Sequence, residues 1–356
     1  MESCKICKRC YDVVDINHTF QQGKYSGIDM PVLNVALIGS ESFARSIGKR
    51  GDVRDIESYV FKEGSGEGAK IISFLRPLKH PDSIRPLLSV LNVAKVGIIE
   101  VSKIDAAFGE ILVSFSSAGI DKGMIIINPE EGIWIDEGQI NVIISQAGLP
   151  WKVYTSMPEP HEIRSIILDM FDKRNKPEEE LILPIDQHFV VQGIGLVGIG
   201  YVQSGEVKKH DAIEALPLIE SGIVRSLQVM DDDVDSAVSG DRVGLAIRNL
   251  REEALQKGCI IIHPGSKVLD KHSSSIFSLN KAPFQKKELK KDDIIHASSD
   301  LQFVVGRVMS INENNIHVNW DSPLWMRNNQ NNSVIIVQLD ASPMRIIGTA
   351  SNFTSV

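Results

Sequence analysis

The stretch Val191-Gln192-Gly193-Ile194-Gly195-Leu196-Val197-Gly198-Ile199-Gly200-Tyr201-Val202-Gln203-Ser204-Gly205-Glu206-Val207-Lys208 alternates apolar and small residues, with glycine returning every few positions. Strand-forming residues cut at short intervals by turn residues read as an all-β barrel, not as helices packed on a sheet. Gly193, Gly195, Gly200 and Gly205 sit where a barrel needs positive φ or close backbone approach at corners and bulges. Gly240-Asp241 reads as a turn before a further strand. The barrel texture runs to about Pro264; a Ser/Lys-rich break, Gly265 to Ser275, then leads into a second β-rich stretch from Ile276 to the end.

Toward the N-terminus the texture changes. Lys173 to Glu180 (KRNKPEEE) is polar, charged and contains proline, the composition of a linker. Before it, Val32-Leu33-Asn34-Val35-Ala36-Leu37-Ile38-Gly39 is a buried-strand run, followed by short Ile/Val-rich runs at Ile71–Leu75, Val96–Val101, Met124–Ile127 and Val153–Tyr154. Helical patterns lie between and after them at Pro86–Val93, Phe108–Ala118 (stopped by Gly119) and Glu159–Asp172. Strands alternating with helices predict a parallel sheet with crossover helices. The expected organisation is an N-terminal Cys-containing segment over residues 1–30, an α/β domain over 31–175, and β-barrels over 181–265 and 271–356. Met30 stands directly before the first strand, so translation starting there would make residues 1–29 a leader.

The chain has 356 residues, with 38 Lys and Arg against 46 Asp and Glu, a net charge of −8. That balance argues against a surface coated for bulk nucleic-acid binding, and leaves room for a local basic face. No apolar run approaches the ~20 residues that cross a bilayer, and the N-terminus lacks the apolar core of a signal peptide. With 4 Cys, three of them between Cys4 and Cys10, a disulfide framework is not expected, and a reducing cytoplasm fits best. Neither a membrane nor a DNA partner is expected.

An α/β domain followed by two barrels resembles elongation factor Tu and its relatives. The glycine-rich stretch quoted above is similar to that family's second-domain signature. It is followed in the same order by Val224-Arg225-Ser226-Leu227-Gln228-Val229, Asp231-Asp232-Asp233-Val234, Gly240-Asp241-Arg242-Val243-Gly244-Leu245-Ala246 and Lys257-Gly258. In the last domain Lys281-Ala282-Pro283-Phe284, Leu301-Gln302-Phe303-x-x-Gly306-Arg307-Val308 and Arg345-Ile346-Ile347-Gly348 agree. The details look closest to archaeal selenocysteine-specific elongation factors, over roughly Pro31 to Phe353. The resemblance implies a GTPase-like α/β domain of the P-loop type, a GTP·Mg²⁺ cofactor, and tRNA, the ribosome or a translation-factor partner.

The family's nucleotide motifs are altered here. A P-loop needs glycines for close backbone approach, a Lys on the β/γ-phosphates and a hydroxyl on Mg²⁺. The corresponding residues are Gly39-Ser40-Glu41-Ser42-Phe43-Ala44-Arg45-Ser46, keeping Gly39 and Ser46 while Ala44 replaces glycine and Arg45 replaces Lys. Where Asp-x-x-Gly-His would follow the third strand, the chain has Arg76-Pro77-Leu78-Lys79-His80. His80 falls at the family's catalytic position, but Arg76 offers no oxygen to a metal, and no Thr lies between Lys49 and Lys70. The guanine-reading motif becomes Asn128-Pro129-Glu130-Glu131, keeping Asn128 with Glu131 for Asp; Tyr154-Thr155-Ser156-Met157 keeps only the Ser of the final element. Phosphate, metal and base contacts are all affected, which predicts a degenerate nucleotide site. Arg45, Arg76 and Lys79 would then be either a cationic patch paired with Glu41 and Asp82, the favoured reading, or a metal-free phosphate site.

Two other clusters stand out. Cys4, Cys7 and Cys10 have the spacing of half a zinc or iron–sulfur site, completed by His18, Cys259 or a second chain; solvated thiols are the plainer reading. Lys281, Lys286, Lys287, Lys290 and Lys291 mark the entrance to the third domain as an RNA-phosphate contact candidate, against a solvated edge broken by Glu288, Asp292 and Asp293. Asp231-Asp232-Asp233 with Asp235 lacks the glycine and distal Glu of a calcium loop and reads as a solvated turn. The leading functional expectation is an elongation-factor-like binding body with no working nucleotide switch. A functional GTPase delivering an aminoacyl-tRNA and a regulatory scaffold outside translation remain alternatives. The family's extra C-terminal domain for the selenocysteine signal is not evident.

Overall fold

The computed structural model describes residues 32–64, 69–170, 179–230, 232–328 and 334–356. Cys4, Cys7, Cys10, Asp231 and most of the linker reading therefore lie outside the described residues. The chain divides into two compact units: one joins the bulk of the α/β part to the C-terminal barrel, and the other is built mainly on residues 173–266.

The α/β part starts with β1 (Val32–Ile38), whose near-continuous burial marks a strand covered on both faces. It continues through α1 (Glu41–Ile47), β2 (Lys49–Val53), β3 (Ile56–Glu63), β4 (Lys70–Pro77), α2 (Arg85–Leu91), β5 (Val96–Val101), α3 (Ala106–Ser117), β6 (Gly123–Ile127), α4 (Glu137–Ala147), β7 (Lys152–Tyr154) and α5 (Pro160–Asp169). The seven-stranded sheet has the order β2-β3-β4-β1-β5-β6-β7. β1, β5, β6 and β7 pair in parallel, whereas β2 pairs antiparallel to β3. The sheet is thus mixed at one edge, where the alternating strand–helix pattern predicted only parallel strands. α1 and α5 share one core with β1, through Phe43, Ala44, Ile47, Ile163 and Ile167 against Val35 and Leu37.

The middle barrel uses β8 (Leu183–Val191), β9 (Gly195–Tyr201), β11 (Ala212–Leu216), β12 (Glu220–Val229), β15 (Arg242–Arg248) and β16 (Ile260–Ile262). Their order β11-β16-β8-β9-β15-β12 closes through the β11–β12 pairing, and β13 (Asp232–Val234) extends β12. β10 (Glu206–Lys208) and β14 (Ser236–Val238) form a separate ribbon. Gly205 shows why glycine recurs here: its φ is +70°, and a Cβ would lie 2.6 Å from the Glu179 carbonyl oxygen. The Asp232-Asp233 stretch is strand rather than turn, with Asp233 accepting from Gln228 Nε2 at 2.9 Å.

The C-terminal barrel consists of β17 (Leu269–Lys281), β18 (Ile294–Ser299), β19 (Gln302–Asn312), β20 (Asn315–Arg327), β21 (Val334–Val337) and β22 (Ile346–Ser355), closed in the order β17-β20-β19-β18-β21-β22. The Ser/Lys-rich segment read as a break is largely strand. Leu269, His272 and Ser275 turn inward while the lysine faces out, and β17 is paired on both sides by β20 and β22. Two ladders satisfy its backbone despite a polar composition.

Candidate functional site

The strand order reverses beside β1: β4 lies on one side and the later β5 on the other. In open α/β sheets this switch point, beyond the carboxyl ends of the strands, is where a crevice forms. A cleft of about 350 Å³ is present there, lined by Gly39, Arg76, Lys79, His80, Glu100 and Lys103 over an apolar floor that includes Ile99 and Phe108. Lys79 has φ +68°, so the position that is glycine in the family motif keeps a glycine-like backbone while carrying a side chain.

The segment matching the P-loop is mostly helix. Ser40 caps α1, its side-chain oxygen accepting from Phe43 N–H at 3.1 Å. Within the helix Ala44 N–H donates to Ser40 O and Gly48 N–H to Ala44 O, both at 3.1 Å. Ala44 points into the core and is fully buried, and Ser46 Oγ donates to Phe43 O at 2.7 Å. At the head of this helix sits a carboxylate that sequence reading overlooked. Glu100 Oε2 accepts from Ser40 N–H at 2.6 Å, and Glu100 Oε1 accepts from Asn128 Nδ2 at 2.7 Å. A Cβ on Gly39 would lie 2.9 Å from Glu100 Oε2, so Gly39 admits a carboxylate of the chain itself. Glu100 therefore joins the P-loop-like and guanine-motif-like segments in one network. The available signal was an acid near the end of the apolar run Val96–Val101. Glu131 is exposed in the loop beyond.

The basic residues form a chain of ion pairs. Arg45 Nη2 lies 2.6 Å from Glu41, and the same carboxylate is 3.3 Å from Arg50. Arg50 also reaches Glu57 at 2.7 Å, and Glu57 takes Arg76 at 2.6 Å from its other oxygen. Arg76 Nε donates to the Gly39 carbonyl at 2.7 Å, and Tyr59 OH donates to Glu57 at 3.1 Å. Burial first, and the neighbouring Glu57 second, push the Tyr59 phenol above its ordinary value. Lys79 pairs with Asp55 at 2.5 Å. The cationic-patch expectation named Glu41 and Asp82 as partners; Glu41 is one, while Glu57 and Asp55 take the place given to Asp82. Antiparallel β2 and β3, unforeseen in the sequence, bring those acids in.

His80 faces the seam with the C-terminal barrel. Its Nε2 is 3.0 Å from Glu110 Oε2, and the side chains are 9% and 4% exposed. Arg345, in the lead-in to β22, donates to the same carboxylate through its backbone N–H at 2.8 Å and Nε at 3.0 Å, and also through Nη2. Burial alone would raise the Glu110 pKa, but hydrogen bonds from His80 and Arg345, with the guanidinium charge, hold it down to about 2. Asn92 adds to the seam: its Nδ2 donates to Ser298 Oγ at 3.0 Å, and its Oδ1 accepts from Leu301 N–H at 3.2 Å.

The lysine stretch runs from Lys281, the last residue of β17, into the loop that leads to β18. Lys281, Lys286, Lys290 and Lys291 are exposed, and Lys287 is half-buried. Lys281 pairs with Glu288, and Lys287 is 3.9 Å from Asp340. Cys259, considered as a fourth metal ligand, instead belongs to the middle-barrel core, where burial pushes its thiol up to about 12. Among the described residues no helix is long and apolar enough to cross a membrane.

Residues 195–262 match the family model of elongation factor Tu domain 2. An uncharacterized protein of Methanocaldococcus jannaschii is 29% identical over 81% of this chain and 89% of its own length. The selenocysteine-specific elongation factor of the same organism is 34% identical over 34% of this chain, which spans only 27% of that factor. The structure of SelB from Methanococcus maripaludis, solved with the GTP analogue GPPNHP, superposes with a TM-score of 0.74. That match covers 92% of this chain and 80% of SelB at 19% identity, and it establishes a common fold.

Proposed function

We propose that this chain, elongation factor Tu-like in its fold and in residues 195–262, is a binding body without a nucleotide switch. Its partner on this reading is tRNA, the ribosome or a translation factor, and its place is the cytoplasm. The observation that carries the proposal is Glu100, whose two oxygens take the Ser40 N–H and the Asn128 amide. A carboxylate at the head of α1 meets the need for negative charge that a phosphate would otherwise meet. The remaining geometry supports the same reading. The guanidinium of Arg76, bonded to Glu57 and Gly39 O, presents donors only and does not fit a magnesium site built from oxygen ligands. Expelling Glu100 would cost the hydrogen bonds it makes, and a triphosphate would be repelled by Glu41 and Glu100. His80 is engaged by Glu110, so no water-positioning step is assigned to it.

Calorimetric titration of the purified protein with GDP and GTP, with and without Mg²⁺, tests this directly. The expected result is no binding heat at millimolar nucleotide. Micromolar, Mg²⁺-dependent binding would overturn the proposal and make GTP hydrolysis the next assay.

A further inference from the structure

The loop from Ala282 to Asp293 in the C-terminal barrel is pinned to its neighbours. Ala282 is buried and donates its N–H to Ile347 O at 2.9 Å. Gln285 Nε2 donates to Met344 O at 3.1 Å and Ile346 O at 2.8 Å, while Gln285 Oε1 accepts from Lys287 N–H at 2.8 Å. Leu289 packs against the barrel core, and Asp292 N–H donates to Val308 O at 2.8 Å. Between these anchors Phe284 is 50% exposed, and its backbone has φ +63°. A bulky residue rarely adopts that left-handed conformation, and such strain persists only where the surroundings enforce it. Phe284 is thus a large apolar ring held outward by a tethered loop.

The nearby charge is mixed, with lysines in excess: the Asp292 carboxylate is exposed beside Lys291, while the other acids are engaged. Glu288 is engaged by Lys281, Asp340 faces Lys287, and the Asp293 carboxylate accepts the Lys290 backbone N–H at 2.8 Å. Among the described residues, no carboxylate forms an ion pair with the ammonium groups of Lys286, Lys290 or Lys291. An exposed aromatic ring on the same loop as ammonium groups without ion pairs matches the chemistry of unpaired nucleotides: bases stack on the ring while phosphates meet the lysines. The net charge of −8 opposes any anionic partner alike; what favours RNA over lipid is the aromatic ring, on which a base can stack.

We propose that Phe284 is a stacking platform for an unpaired RNA base, with Lys286, Lys290 and Lys291 holding the adjoining phosphates. This rests on the reading of the chain as an RNA-binding body and adds to it a preference for single-stranded over duplex RNA. The test is fluorescence anisotropy on the full chain, using a labelled mixed-sequence single strand of about 12 nucleotides and a duplex of the same length. The variants are Phe284→Ala, Phe284→Leu, Phe284→Tyr and the combined change of Lys286, Lys290 and Lys291 to Ala.

The expected result is single-strand binding weakened about tenfold or more by Phe284→Ala and Phe284→Leu, with the salt slope unchanged. Phe284→Tyr retains affinity, and the triple lysine variant flattens the salt slope. Because Phe284 is outside the core, thermal melts of its variants provide the folding control. If Phe284→Ala and Phe284→Leu bind normally while the lysine variant fails, RNA binding survives and stacking is overturned. Absence of binding to either RNA defeats the underlying reading as well. Phe284-dependent binding to phosphatidylserine vesicles without an effect on RNA overturns the choice of partner.

Discussion

Glu110, a residue the sequence does not mark out, sits at the interface with the C-terminal barrel and receives the bonds of two residues that it does. Its side chain is 4% exposed and takes bonds from His80 and Arg345. Removing one member of such a group leaves the other charge without compensation. A carboxyl held at about 2 from an ordinary 4.5 contributes about 2 kcal/mol at neutral pH, after allowing for screening by water. Because the folded pKa is depressed, this contribution is fully present above pH 4.5 and is lost as pH falls toward 2. Urea melts of wild type and Glu110→Gln across that range check the sign. The variant is expected to lose about 2–3 kcal/mol at pH 7, and the gap should close as the medium is acidified. A gap of constant size down to pH 3 would show that the Glu110 charge is not its source.

At the scale of elements, β1, β4, β5, β6 and β7 of the sheet and the β character of both barrels were legible because their apolar runs are strong. The Val32 run became β1 and the Val96 run β5, and glycine spacing gave the corners of the middle barrel. Helices α1 and α4 escaped the periodicity reading, as did β2 and β3. α1 is only seven residues long and matches a loop motif in the family, so motif spacing concealed the helix. The site acids were harder still: Glu57 and Glu100 acquire their roles through partners on β4, α1 and the loop after β6, which local sequence does not pair. The β1–α1 junction supplies a test of that packing. Glu100→Ala should cost about 0.5–1.5 kcal/mol, because the exposed Ser40 N–H and Asn128 amide lose their acceptor but turn to water. Gly39→Ala should cost about 1–3 kcal/mol by forcing Glu100 and Phe43 aside. Because the two changes act on one contact, the double variant should be more stable than the sum of the singles predicts. Strict additivity in urea melts would mean that Gly39 answers to something other than Glu100.

Across the whole molecule, the balance of charge constrains the proposed binding of RNA. A chain at −8 overall gains little from a diffuse field, so its phosphate contacts must come from local groups whose acids are engaged elsewhere. Lys286, Lys290 and Lys291 carry no ion pair among the described residues, with the exposed Asp292 carboxylate the one local acid left to compete. Lys281 and Lys287 begin in ion pairs with Glu288 and Asp340 and would have to exchange partners. Three contacts predict a slope of log affinity against log salt of about −2 to −3, so a fourfold rise in salt should weaken tRNA binding by about 16- to 64-fold. Filter binding or anisotropy over that salt range measures it. A slope steeper than about −5 would require basic surface beyond this loop, and the middle barrel would be the next place to mutate. A flat slope would mean that phosphates are not contacted, and the partner would then be sought among proteins.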